Sequence, residues 1–131
     1  MARIFISYSR IARRLRRRLV DLLSFAYDDI WYDSAKLVGG DDWWAEIVRQ
    51  IEACDHFIFL ISRESLESEW CQKELSEARE RNKHIIPVRI RDGAQIPEDL
   101  ARLHVIDTFD SVRVEGLARI FGAITRNGPN A

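Results

Sequence analysis

An α/β fold with a doubly wound sheet of about five parallel strands is what this sequence predicts, and three observations carry that reading. Short β-type runs alternate with amphipathic stretches of helical period along the chain, the pattern of parallel strands joined by helical crossovers. One run, His56–Ile61 (HFIFLI), is apolar almost without break, which suits a strand buried on both faces. The chain has 131 residues, 47% of them hydrophobic and 31% charged, which fits one globular domain around a single core.

Taken in order, Arg3–Ser7 (RIFIS) is a first strand, and Ser7-Tyr8-Ser9-Arg10 a polar turn after it. From Ile11 to Leu23 the period is helical, with Ile11, Ala12, Leu15, Leu19, Leu22 and Leu23 sharing one face. Asp29–Tyr32 (DIWY) is a second short strand. Asp33 closes it, and a loop follows through Ser34, Ala35, Lys36, Leu37, Val38, Gly39, Gly40, Asp41 and Asp42. Its paired glycines permit positive φ, and such loops lie at the surface. Trp43–Ala53 is an amphipathic helix, with Trp43, Trp44, Ile47, Val48 and Ile51 on one side. The buried strand His56–Ile61 comes next, then a polar turn over Ser62–Ser68, with Ser68 placed to cap a helix.

Beyond that helix, His84–Ile90 (HIIPVRI) is a further strand. Pro87 donates no backbone hydrogen bond, so the strand is expected near a sheet edge or with a bulge. Asp92–Gln95 turns the chain, Pro97–Leu103 makes a helical turn, and Val105–Ile106 is a last short strand. A helix over Ser111–Arg126 closes the domain, and Asn127–Ala131 is a tail or linker remnant. Residues 1–126 thus form one domain, expected to be the N-terminal part of a longer chain.

Composition removes several function classes. The net charge is −1, which argues against bulk attraction to nucleic acid or to an anionic membrane. Five arginines between Arg13 and Arg18 invite a basic-patch reading, but the near-neutral balance favours a solvated helix face. Cys54 and Cys71 make neither a metal spacing nor a disulfide framework, so no metal is expected and the compartment is reducing, hence cytoplasmic. No apolar run approaches the ~20 residues of a membrane span.

The chemistry-bearing candidate lies on the helix after the buried strand. At about 100° per residue, Trp70, Cys71, Leu75 and Ala78 fall on one arc of roughly 140°, and Glu74 falls inside it. Glu74 is therefore a carboxylate on an apolar helix face, just past the C-terminal end of a buried strand, where open α/β sheets place their ligands. Two readings stand at this point. One is a site carboxylate, and the other is an acid at the edge of the buried stripe, paired with an arginine or reaching water. Trp70 likewise reads as either core or site.

The motifs FISYSR at 5–10, WYDSAKLVGGDDWWAEI at 31–47, FIFLIS at 57–62 and SEWCQKEL at 68–75, with HIIPVRI and IPEDL beyond them, resemble the Toll/interleukin-1 receptor (TIR) domain, in wording its prokaryotic branch. The resemblance covers nearly the whole chain. It implies a flavodoxin-like sheet of five parallel strands with helices on both faces. It also implies one of two functions. The first is cleavage of NAD+ to nicotinamide and linear or cyclic ADP-ribose, switched on by self-association in signalling or defence. The second is a non-catalytic scaffold that binds other TIR domains.

For the enzyme, the xWCxxEL pattern maps the essential glutamate onto Glu74. The resemblance puts Tyr8, Ser9, Arg10, Asp33, Lys36 and Trp70 at the substrate, and assigns self-association into homo-oligomers or filaments to the loop Ser34–Asp42. NAD+ is then a substrate, and no cofactor is implied. One departure stands out: after SYSR the family usually continues with a charged pair, and here Ile11-Ala12 follows. The start of the first helix, at the rim of the implied pocket, is thus altered.

Overall fold

The structure, a computed structural model, describes residues 2–32, 42–91, 94–108 and 114–126. Strand β1 (Arg3–Ser7) leads through a single 3-10 turn (Arg10–Ala12) into helix α1 (Arg13–Leu23) and strand β2 (Asp29–Trp31). Helix α2 (Asp42–Ala53) precedes strand β3 (His56–Ile61), which is followed by two helices, α3 (Arg63–Glu67) and α4 (Glu69–Glu80). Strand β4 (His84–Arg89), the short helix α5 (Glu98–Ala101), strand β5 (Ile106–Asp107) and helix α6 (Val114–Arg126) complete the order. The five strands form one sheet in the order β2-β1-β3-β4-β5, every pair parallel. This is the doubly wound, flavodoxin-like arrangement expected from the alternation of strands and helices.

Period-2 alternation along the strands builds two cores. Ile4, Ile6, Ile58, Leu60, Ile86 and Val88 pack on one face with Leu19, Leu23, Ile120 and Ile124 of α1 and α6. Phe5, Phe57, Phe59 and Ile61 pack on the other with Ile47, Ile51, Cys71, Leu75 and Ala78 of α2 and α4. The Phe5 and Phe57 rings stack at 5.2 Å across the β1–β3 pair. All six residues of β3 are buried, as its unbroken apolar run requires.

Helix ends are set by local chemistry. Ser68 Oγ accepts from the Cys71 amide at 3.2 Å and starts α4. Asn82, at φ 54°, stops it. The Lys83 amide returns to the Ala78 carbonyl at 2.9 Å and the Asn82 amide to Arg79 at 3.0 Å, a Schellman closure with asparagine in the left-handed position. Lys83 Nζ then donates to the Cys54 carbonyl at 2.9 Å and to that of Glu52, covering the C-terminal end of α2.

Three expectations are corrected. Ser62–Ser68 is not only a turn but holds α3, started by a capping box: Ser62 Oγ accepts from the Ser65 amide at 3.0 Å, and Ser65 Oγ accepts from the Ser62 amide at 2.9 Å. The strand with Pro87 lies beside the edge strand β5, near the sheet edge as expected. The Ile90 amide donates to Ile61 of β3 at 3.0 Å, so by alternation residue 87 faces β5, which pairs only from Val88 onward. Pro87 therefore stands where the ladder ends and its missing donor leaves no gap. The arginine run is not wholly solvated, since Arg16 is only 9% exposed. Ile11, read as part of the buried face, is exposed on the 3-10 turn.

Candidate active site

The site is assembled where β1 and β3 diverge in connectivity, the switch point of this strand order. Helix α4 runs back from the C-terminal end of β3 and buries Cys71, Glu74, Leu75 and Ala78, the arc read from the sequence. Glu74 is 3% exposed. Its Oε1 accepts from Ser7 Oγ, at the last residue of β1, at 2.8 Å. Among the described residues no cation pairs with it. Burial pushes its carboxyl up to about 7, and the Ser7 hydrogen bond pulls only partly the other way. Cys71, nearby on the same helix, is a buried thiol pushed up by desolvation, so it stays protonated and is no nucleophile.

Glu74 opens on a cleft of about 170 Å3 at the C-terminal ends of β1 and β2. Phe5, Ile6 and Trp31 line it from the strands, and Tyr8, Arg10, Arg13 and Tyr32 from the segments just after them. The described part of the cleft is smaller than the ~300–1,000 Å3 of typical ligand pockets. It matches a single sugar ring rather than a whole dinucleotide. Arg16 sits behind its wall, with its guanidinium 4.5 Å from the Tyr32 ring centroid and 5.1 Å from that of Tyr8. The Arg16 Nε is buried with no hydrogen-bond partner, so the two π faces are the guanidinium's described company.

Of the residues named from the resemblance, the structure brings Glu74, Tyr8 and Arg10 to one cleft. Ser9 is adjacent but turned toward β3, its Oγ 3.4 Å from Ser62 Oγ. Trp70 does not line this cleft. Its ring stacks on Trp43 at 3.9 Å and meets Trp44 edge-on at 5.2 Å, with Lys73 Nζ 4.7 Å from the Trp44 ring and 5.3 Å from that of Trp70. Asp33, Lys36 and the loop from Ser34 to Asp41 lie outside the described residues, and Asp42 is the first residue of α2.

Sequence reasoning missed Ser7, Arg13, Trp31, Tyr32 and Arg16. Three of these five, Ser7, Trp31 and Tyr32, stand at or just after the C-terminal ends of β1 and β2, and that position was the available signal. Among the described residues no cluster of His, Cys, Asp and Glu suits a metal ion. No helix there is long and apolar enough to cross a membrane. The chemistry on offer is one desolvated carboxyl held by a hydroxyl, faced by aromatic walls and two guanidiniums.

Comparison with known proteins agrees with this fold. A family model described as TIR domain matches residues 4–121. No curated protein matches the chain. Among solved structures, the TIR domain of the Toll-related receptor TRR-2 from Hydra magnipapillata is similar, with a TM-score of 0.77 at 22% identity, covering 97% of this chain and 100% of that one. The CMP N-glycosidase BcmB of Clostridium botulinum is similar with a TM-score of 0.62 at 20% identity, over 91% and 97% of the two chains. The TIR domains of the activated Roq1 resistosome give 0.60 at 17% identity, over 97% of this chain and 72% of that one. At these identities the likeness is one of fold.

Proposed function

This chain belongs to the TIR-domain family, and from that premise we propose that it is an NAD+ glycohydrolase, cleaving the bond between nicotinamide and ribose. The observation that carries the proposal is Glu74, a carboxyl 3% exposed, bonded to Ser7 and open to a sugar-sized cleft. A glutamate kept only for structure would sit more cheaply beside an arginine, and here none pairs with it among the described residues.

The chemistry suits one carboxylate. Sugar glycosidases commonly use two, because an alkoxide leaving group needs a proton. In NAD+ the glycosidic nitrogen is already cationic. The bond pair leaves with that nitrogen, nicotinamide departs neutral, and positive charge develops on ribose C1′. A fixed anion beside C1′ in a dry site stabilises that charge. Water then adds to C1′ and loses a proton, which a carboxylate poised near neutrality accepts. Addition of an adenine nitrogen instead would give the cyclic product. Arg10 and Arg13 are placed to meet the pyrophosphate, and Tyr8, Trp31 and Tyr32 offer faces for a ring. The similarity to the TIR domains of an activated resistosome supports activation by assembly, and the family resemblance assigns that contact to the loop Ser34–Asp42.

A second reading, cleavage of a nucleoside monophosphate, is favoured by the similarity to a CMP N-glycosidase. Cytosine needs a proton to leave, and a carboxyl near 7 is partly protonated at neutral pH. The pH dependence separates the two readings: for NAD+ the rate should climb through pH 7 as Glu74 ionises, and for CMP it should fall.

The deciding experiment incubates concentrated protein with NAD+, or with CMP, and follows release of the free base by chromatography. Wild type should release nicotinamide. Glu74→Gln should lose at least about a hundredfold in rate, some 3 kcal/mol of barrier. Glu77→Gln, which disturbs only a surface pair with Arg81, should stay within a few-fold. Undiminished nicotinamide release by Glu74→Gln would remove this residue from the mechanism. Release of neither base by the assembled wild type would leave the scaffold function.

A further inference from the structure

A second cavity, of about 890 Å3, lies at the opposite end of the sheet from Glu74. Its origin is the early end of the β4–β5 ladder. Val88 and Arg89 pair with Ile106 and Asp107, Pro87 offers no donor to continue, and β4 before Pro87 has no neighbour on that side. The Ile85 amide faces the same side as residue 87. The segment Arg102–Val105 and the last turns of α6 wall the gap.

The lining is cationic above and apolar below. Arg102, Arg119 and Arg126 supply the charge, His84 and His104 also line the cavity, and no carboxylate does. Arg102 reaches Glu98 loosely at 3.4 Å, whereas Arg119 and Arg126 pair with no carboxylate among the described residues. Ile85, Ile86, Ile106 and Ala123 form the apolar part. Two guanidiniums with no carboxylate partner among the described residues, in a chain of net charge −1, concentrate positive potential over an apolar floor. The volume lies within the ~300–1,000 Å3 of small-molecule sites.

We infer that this cavity binds a small nucleoside phosphate, with the phosphate on Arg119 and Arg126 and the base on the Ile85–Ile86–Ile106 floor. The inference stands apart from the reading of Glu74, because the site shares no residue with the first cleft. It is tested by titrating isoleucine-methyl-labelled protein with AMP, adenosine and inorganic pyrophosphate, using NMR. AMP should saturate shifts at Ile85, Ile86 and Ile106. Adenosine and pyrophosphate should each bind at least about tenfold more weakly, since each lacks one half of the recognition.

Arg119→Gln with Arg126→Gln should weaken AMP by a similar factor while leaving the melting temperature unchanged, because both side chains are at the surface. Glu74→Gln should not alter these shifts. The inference is overturned if millimolar AMP moves none of these methyls, or if its shifts centre on Ile4 and Ile6 and vanish with Arg10→Gln. Pyrophosphate binding as tightly as AMP would also overturn it, as would a single-stranded RNA oligonucleotide binding more tightly than AMP.

Discussion

Glu74 carries its own pH dependence of folding. Its carboxyl stands at about 7 in the folded chain against an ordinary 4.5. Below pH 4.5 both folded and unfolded forms hold the proton and the group costs nothing. As pH rises from there to 7 the unfolded chain ionises first, so stability is lost, and above 7 the loss is complete at about 3 kcal/mol. Glu74→Gln should therefore be more stable than wild type by that order at pH 8, with the gain vanishing below pH 4.5, as chemical denaturation at the two pH values would read. An equal gain at both would mean that the charge is not what strains the site. Glu74 was legible because the i, i+3, i+4 spacing places it among Cys71, Leu75 and Ala78. Its partner Ser7, 67 residues away, was not, because no local period links a strand end to a helix so distant in sequence.

Arg16 is the second residue at this scale, buried between Tyr8 and Tyr32. A planar, weakly hydrated guanidinium suits that slot and an ammonium does not. Arg16→Lys should cost about 1–2 kcal/mol of stability, whereas Arg17→Lys, on the exposed side of α1, should be silent. Urea denaturation of the pair settles the point. A run of arginines reads as one solvated face because charge is counted along the chain. Which member turns inward depends on aromatic rings supplied by the first loop and by the end of β2.

At the scale of elements, caps decide where the site begins. Ser68→Ala should remove the hydrogen bond to the Cys71 amide and cost about 1 kcal/mol. Ser76→Ala, exposed in mid-helix, should be neutral or slightly stabilising, since alanine is the better helix former. Thermal melts of the two variants would show the contrast. The Ser68 cap was visible in the sequence. The α3 cap was not, because Ser62 is answered by Ser65 rather than by the glutamate or glutamine of the usual pattern. Pro87 was legible: its lost donor asks for a place near a sheet edge, and β5 is two residues long and begins just beyond it.

For the whole molecule, alternation and one fully apolar strand were enough to read a doubly wound parallel sheet, because crossovers and burial leave few other arrangements. The layout also fixes a mechanical relation between its parts. Helices α2 and α4 run side by side in the same direction. The Trp43–Trp70 stack bolts them at the start, and Lys83 with the Arg81–Glu52 pair bolts them at the end. Fastened at both ends, they pack on the sheet as one layer. Glu74 belongs to that layer and Ser7 to the sheet, and their 2.8 Å hydrogen bond joins the two inside the core. A substitution that breaks the Trp43–Trp70 stack is therefore expected to reach the Glu74 carboxyl through α4, although neither ring lines the cleft.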